Sequence, residues 1–120
     1  MHAHAIKTAV LAACCAAGLG LSPPAAAQYT CTGTVVGLVV SPSGIVSGQS
    51  IGGLPWQSIC QLGSAANGVS PDACKAVYAM LLSAQISGKT VTFWFSDAGT
   101  CSTHYAWTWL TGWYYGPMIQ

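Results

Sequence analysis

From residue 34 onward the chain alternates short β-branched runs with clusters of Gly, Ser and Pro. Thr34 to Val40 reads Thr-Val-Val-Gly-Leu-Val-Val and stops at Ser41-Pro42-Ser43-Gly44, which predicts a strand and a turn. Ile45 to Ile51 suits its hairpin partner. Gly52-Gly53-Leu54-Pro55 bends the chain again, and Trp56 to Leu62 reads as a third strand ending near Cys60.

A different period follows. Ser70 is placed to cap a helix, Pro71 fits its first position, Asp72 lies in its first turn and Gly88 stops it. Residues 71–87 would span about 25 Å. Ala73, Ala76, Val77, Met80, Leu81 and Ala84 make an apolar stripe, but Leu82 and Ile86 lie off it, and Lys75 and Ser83 form only a thin polar face. A helix this apolar calls for cover on more than one side.

After Gly88, Lys89 to Phe95 alternates Thr90, Thr92 and Trp94 with Val91, Phe93 and Phe95, a period-2 strand. Asp97-Ala98-Gly99 turns the chain. The last segment alternates Tyr105, Trp107 and Trp109 with Ala106, Thr108 and Leu110, the pattern of a fifth strand, before Gly112-Trp113-Tyr114-Tyr115. The order β-β-β-α-β-β predicts a mainly β domain with one α-helix. In a domain this small, curling the sheet buries its apolar face economically, so the expected architecture is a five-stranded OB-like barrel. A flat five-stranded sheet with the helix on one face is the alternative.

The first 27 residues read differently. Lys7 precedes an apolar stretch from Thr8 to Leu21, Ser22-Pro23-Pro24 breaks it, and Ala25-Ala26-Ala27 fits a signal-peptidase site. Residues 1–27 are therefore expected to be a signal peptide, with residues 28–120 as the domain. The stretch is short for a membrane span. Leu11-Ala12-Ala13-Cys14 also has the form of a lipoprotein box, which would place a lipid on Cys14 instead.

Residues 28–120 hold only Asp72, Lys75, Lys89 and Asp97 as charged side chains, one histidine, His104, and no Arg. That excludes a phosphate-tracking nucleic-acid binder, which needs a basic surface. Cys31, Cys60, Cys74 and Cys101 form an even set in a small exported domain, which points to two disulfides and a periplasmic or secreted home. Three pairings are open. The short Gly- and Asn-containing loop between Cys60 and Cys74 favours that pair, leaving Cys31 with Cys101. The spacings lack the paired C-x-x-C of a zinc site.

The order of elements, with Cys60 closing the third strand, the Ser70-Pro71 helix start, the Leu81-Leu82-x-x-Gln85-x-x-Gly88 helix end and the Val91-x-Phe93 strand, resembles binding subunits of bacterial AB-type toxins. The likeness is to the subtilase-cytotoxin and pertussis-like group and their stand-alone exported relatives, over most of residues 31–115. It implies an OB-fold assembled as a ring of five around central helices, with glycans bound outside and a possible catalytic A subunit as partner. In that group sialic acid is held by a Ser and a Tyr at positions that fall here near Thr32 and on Phe95. Thr32 keeps a hydroxyl, Phe95 does not, and no Arg is available to grip a sugar carboxylate. The departure points to a neutral glycan or to no glycan at all.

Tyr105, Trp107, Trp109, Trp113, Tyr114 and Tyr115 are the strongest functional signal, because aromatic faces stack on sugar C–H faces and their N–H or O–H groups add hydrogen bonds. The same rings also suit a core or a subunit interface, and Trp56 and Trp94 read as packing residues. The glycan candidates are thus Thr32, Phe95, Trp107, Trp109 and Tyr114. Asp97, Ser96, Ser102 and His104 permit a hydrolase triad on paper, but no Gly-x-Ser-x-Gly elbow accompanies them. Gly52-Gly53 lacks the Lys of a phosphate loop. The expectation is a non-catalytic carbohydrate-binding subunit without metal or cofactor. The competing class is an exported protein-interaction or structural protein, including a peptidase inhibitor.

Overall fold

The computed structural model describes residues 28–120 together with Gly18 and Gly20. The expected leader, its cleavage site and the Cys14 lipidation box otherwise lie outside the described residues. The first β-branched run is longer than its sequence pattern: strand β1 spans Tyr29–Val40. Residues 29–34 pair antiparallel with β4 (Thr90–Phe95), and residues 35–40 pair antiparallel with β2 (Ile45–Ile51). One strand therefore serves two partners in succession.

Between β2 and β3 (Leu54–Gln61), Gly52 and Gly53 sit at φ 61 and 79 with Ile51 paired to Leu54. Two consecutive positive φ values make a two-residue hairpin turn that matches strand twist and that glycine alone adopts without strain. The turn lies on β1 at Gly33, where a β-carbon would run into the Gly53 backbone. Gly33→Ala is expected to cost about 1–3 kcal/mol through that overlap, read as a lowered urea midpoint. Gly63→Ala, with nothing around its added methyl, should leave the midpoint nearly unmoved.

Helix α1 covers Pro71–Ser87 as its boundaries predict. The Ser70 hydroxyl accepts the Ala73 N–H at 3.2 Å, and Gly88 closes the helix in the left-handed conformation. Its buried face corrects the expected stripe: Cys74, Val77, Leu81 and Ala84 point inward, while Ala73, Ala76 and Met80 are exposed. Two fastenings set this rotation. Cys74 is bonded to Cys60, and the Gln85 side-chain oxygen accepts the Leu38 N–H at 2.8 Å. The helix packs chiefly on β1.

The C-terminal region departs most from its pattern. The expected single strand is replaced by β5 (Thr108–Trp109), which runs parallel to β3, and β6 (Trp113–Ile119), which runs antiparallel to β4. The sheet thus has six strands rather than five, in the order β5-β3-β2-β1-β4-β6. Only Leu110 to Gly112 separates the strands at its two ends, so the sheet must curl to bring its edges together. Ile51, Leu54, Ile59, Leu81, Val91, Phe93, Phe95 and Leu110 fill the enclosed core. The disulfides Cys60–Cys74 and Cys31–Cys101 are formed in the favoured pairing. No helix among the described residues is long and apolar enough to cross a membrane.

Candidate functional site

The six C-terminal aromatic residues do not form one cluster. Tyr105, Trp107 and Trp109 lie along β3, whereas Trp113, Tyr114 and Tyr115 belong to β6. Trp113 is half-buried and meets Phe93 edge-on. Tyr114 and Tyr115 are exposed and, with Met80, Pro117 and Met118, line a cavity of about 360 Å³ between helix and strand. Tyr114, expected beside Trp107 and Trp109, is thus carried by another strand.

On the β3 side, the ring of Trp107 stacks on that of Trp56, with centroids 4.5 Å apart and planes within 13°. Their main chains are joined as well: the Trp107 N–H donates to the Trp56 carbonyl at 2.8 Å. Both residues occupy the left-handed region, at φ 39 for Trp56 and φ 66 for Trp107. For a bulky side chain that conformation costs about 1–2 kcal/mol each. Trp107 nevertheless remains 75% exposed, so one indole face is spent on Trp56 and the other meets solvent. Tyr105, also 75% exposed, and Trp109, 38% exposed, flank it. Trp56, read from sequence as packing, is the floor of this platform. The bend that Gly52-Gly53-Leu54-Pro55 places before it was the available signal.

The platform is uncharged. Among the described residues, Lys75 faces Asp72 across one helical turn at 3.5 Å, Lys89 follows the helix, and Asp97 lies beneath Gly112. None belongs to β3, β5 or the 105–110 segment. Such a surface offers apolar ring faces and indole N–H donors, which suit a sugar's C–H face and hydroxyls.

Thr32 and Phe95 stand elsewhere. Thr32 is exposed on β1 and its hydroxyl is 2.6 Å from that of Thr92, its partner across the strands. Phe95 is fully buried, stacked on Tyr29 at 4.9 Å and 4.6 Å from the His104 ring. Its ring therefore has no face to offer a ligand, a correction to the sequence expectation. Alternation along β4 distinguishes two faces, but Val91, Thr92 and Phe93 are also buried, so both faces are covered.

Among the described residues, His104 is hydrogen-bonded to a tyrosine and not to a serine. Its Nε2 is 2.8 Å from the Tyr29 hydroxyl, and Ser102 is engaged with Thr100 instead. Burial lowers the His104 pKa from its ordinary value, partly opposed by the Asp97 carboxylate. Burial and the same carboxylate push the Tyr29 phenol well above its usual range. With the folded-state value of His104 below the unfolded one, protons bind the unfolded chain more readily. Stability should be level above about pH 6.5 and fall as pH drops below it toward the folded value. Denaturation midpoints between pH 8 and 5 check this, and His104→Gln should flatten that part of the profile.

No family model matches the sequence, and neither the curated proteins nor the solved structures contain a match to it.

Proposed function

We propose that this protein is an exported, non-catalytic carbohydrate-binding protein that takes an uncharged glycan on the open face of Trp107, with Trp109 and Tyr105 beside it. The observation that carries the reading is the stacked Trp56–Trp107 pair: two bulky residues are held in costly left-handed backbone to keep one large ring fixed and exposed. Strain concentrated at one surface point is characteristic of ligand sites, and a rigid aromatic platform loses little entropy on binding. Two disulfides agree with an oxidising compartment.

The finer architecture belongs to the same proposal. A strand order in which residues 108–119 touch both β3 and β4 supports an OB-like barrel, as in the toxin binding subunits that the element order resembles. A ring of copies would cover the exposed helix face of Ala73, Ala76 and Met80. An array of neutral and sialylated glycans tests the function. Signal on neutral glycans is the expected result. A silent array together with a protein captured from a periplasmic or culture-fluid extract would replace the reading with the protein-interaction class.

A further inference from the structure

We propose that Gln57 and Asn67 are positioning residues, two amide clamps that set the angle and rigidity at which Trp107 and Trp109 are presented; the proposal rests on the reading of Trp107 as the ligand platform. The segment from Tyr105 to Leu110 needs such fastening. Its ladder on β3 involves only two residues, Thr108 and Trp109, too few to hold an exposed aromatic loop by themselves.

The Gln57 amide nitrogen donates to the Pro55 carbonyl at 2.7 Å and to the Tyr105 carbonyl at 2.8 Å. The Asn67 amide nitrogen donates to the Ile59 carbonyl at 3.0 Å and to the Leu110 carbonyl at 2.7 Å. Each nitrogen has two protons, and each divides them between β3 and one end of the aromatic segment. Trp107 lies between the two clamps. Backbone bonds from Trp107 to Trp56 and from Leu110 to Ser58, both at 2.8 Å, complete the attachment.

A purely structural residue at position 57 would more economically be apolar. Gln57 is fully buried and its side-chain oxygen has no partner, an arrangement that lowers stability. The clamp on Tyr105 accounts for an amide there. Asn67 reaches its two carbonyls from φ 55, a conformation Asn tolerates well.

The test is the double variant Gln57→Met, Asn67→Gly, which keeps volume at 57 and the left-handed backbone at 67. Its readouts are the far-UV circular-dichroism couplet of the stacked indoles, affinity for the neutral glycan chosen from the array, and the amide NMR signals of β1, β2 and β4. The couplet is expected to fall by more than about half and affinity by about three- to tenfold, the ordering cost of one or two side chains, with the strand signals in place. An unchanged couplet with unchanged affinity overturns the proposal. A lost couplet, when neither wild type nor variant binds any glycan, supports the clamps and removes the ligand reading. Should the double variant not fold, relaxation of the Trp107 indole N–H in the single variants Gln57→Met and Asn67→Gly, each against the wild type, decides. A lowered order parameter in either single variant supports the clamps, and one unchanged in both overturns them.

Discussion

Replacing Trp107 by alanine should abolish measurable glycan binding while leaving the fold intact. An exposed tryptophan that supplies the central contact of a site is typically worth about 2 kcal/mol or more, at least a thirtyfold loss of affinity. The fold should tolerate the change because the ring is mostly in solvent and stacks on Trp56, outside the enclosed core. Trp109→Ala, at a ring only 38% exposed on the same segment, should weaken binding less. Tyr114→Ala should leave it unchanged, because that ring belongs to β6 and the Met80–Met118 cavity. Calorimetric titration of the three variants with one neutral oligosaccharide ranks them. A loss at Tyr114→Ala with none at Trp107→Ala would place the ligand on the other strand.

Removing the long disulfide should have the largest effect on stability. Cys31 and Cys101 are 70 residues apart and Cys60 and Cys74 only 14, which in the chain-entropy view corresponds to about 4 and about 3 kcal/mol. Domains of this size are commonly stable by about 5–15 kcal/mol, so the double variant Cys31→Ala, Cys101→Ser should lose a large part of the total. It should also loosen the loop that carries Asp97 and His104, since Cys101 ties that loop to β1. Urea midpoints of the variant, and of the wild type with and without reductant, measure the effect. A midpoint indifferent to both would show that the bridge does not hold the fold.

Features governed by neighbouring residues were legible in the sequence. Ser70, Pro71 and Gly88 bound the helix because capping chemistry is local, and the short loop between Cys60 and Cys74 pointed to the right cystine. What depended on distant groups was hidden. The helix face followed from Cys74 and from the Gln85 bond to Leu38, since a helix apolar all round gives periodicity little to act on. Tyr105, Trp107 and Trp109 alternate as a strand does, but side chains from positions 57 and 67 and the Trp56 carbonyl hold the backbone in another form. Their effect split one aromatic cluster into two and turned a packing residue, Trp56, into the support of the candidate site.

The central claim is that an uncharged sugar rests on the outward ring of Trp107. The direct measurement is titration of isotope-labelled protein with a neutral oligosaccharide while the indole N–H signals of its five tryptophans are followed by NMR. Movement of the Trp107 and Trp109 signals, with those of Trp94 and Trp113 fixed, is the result expected. Signals that all stay in place at millimolar sugar, or that move only at Trp94 and Trp113, would contradict it.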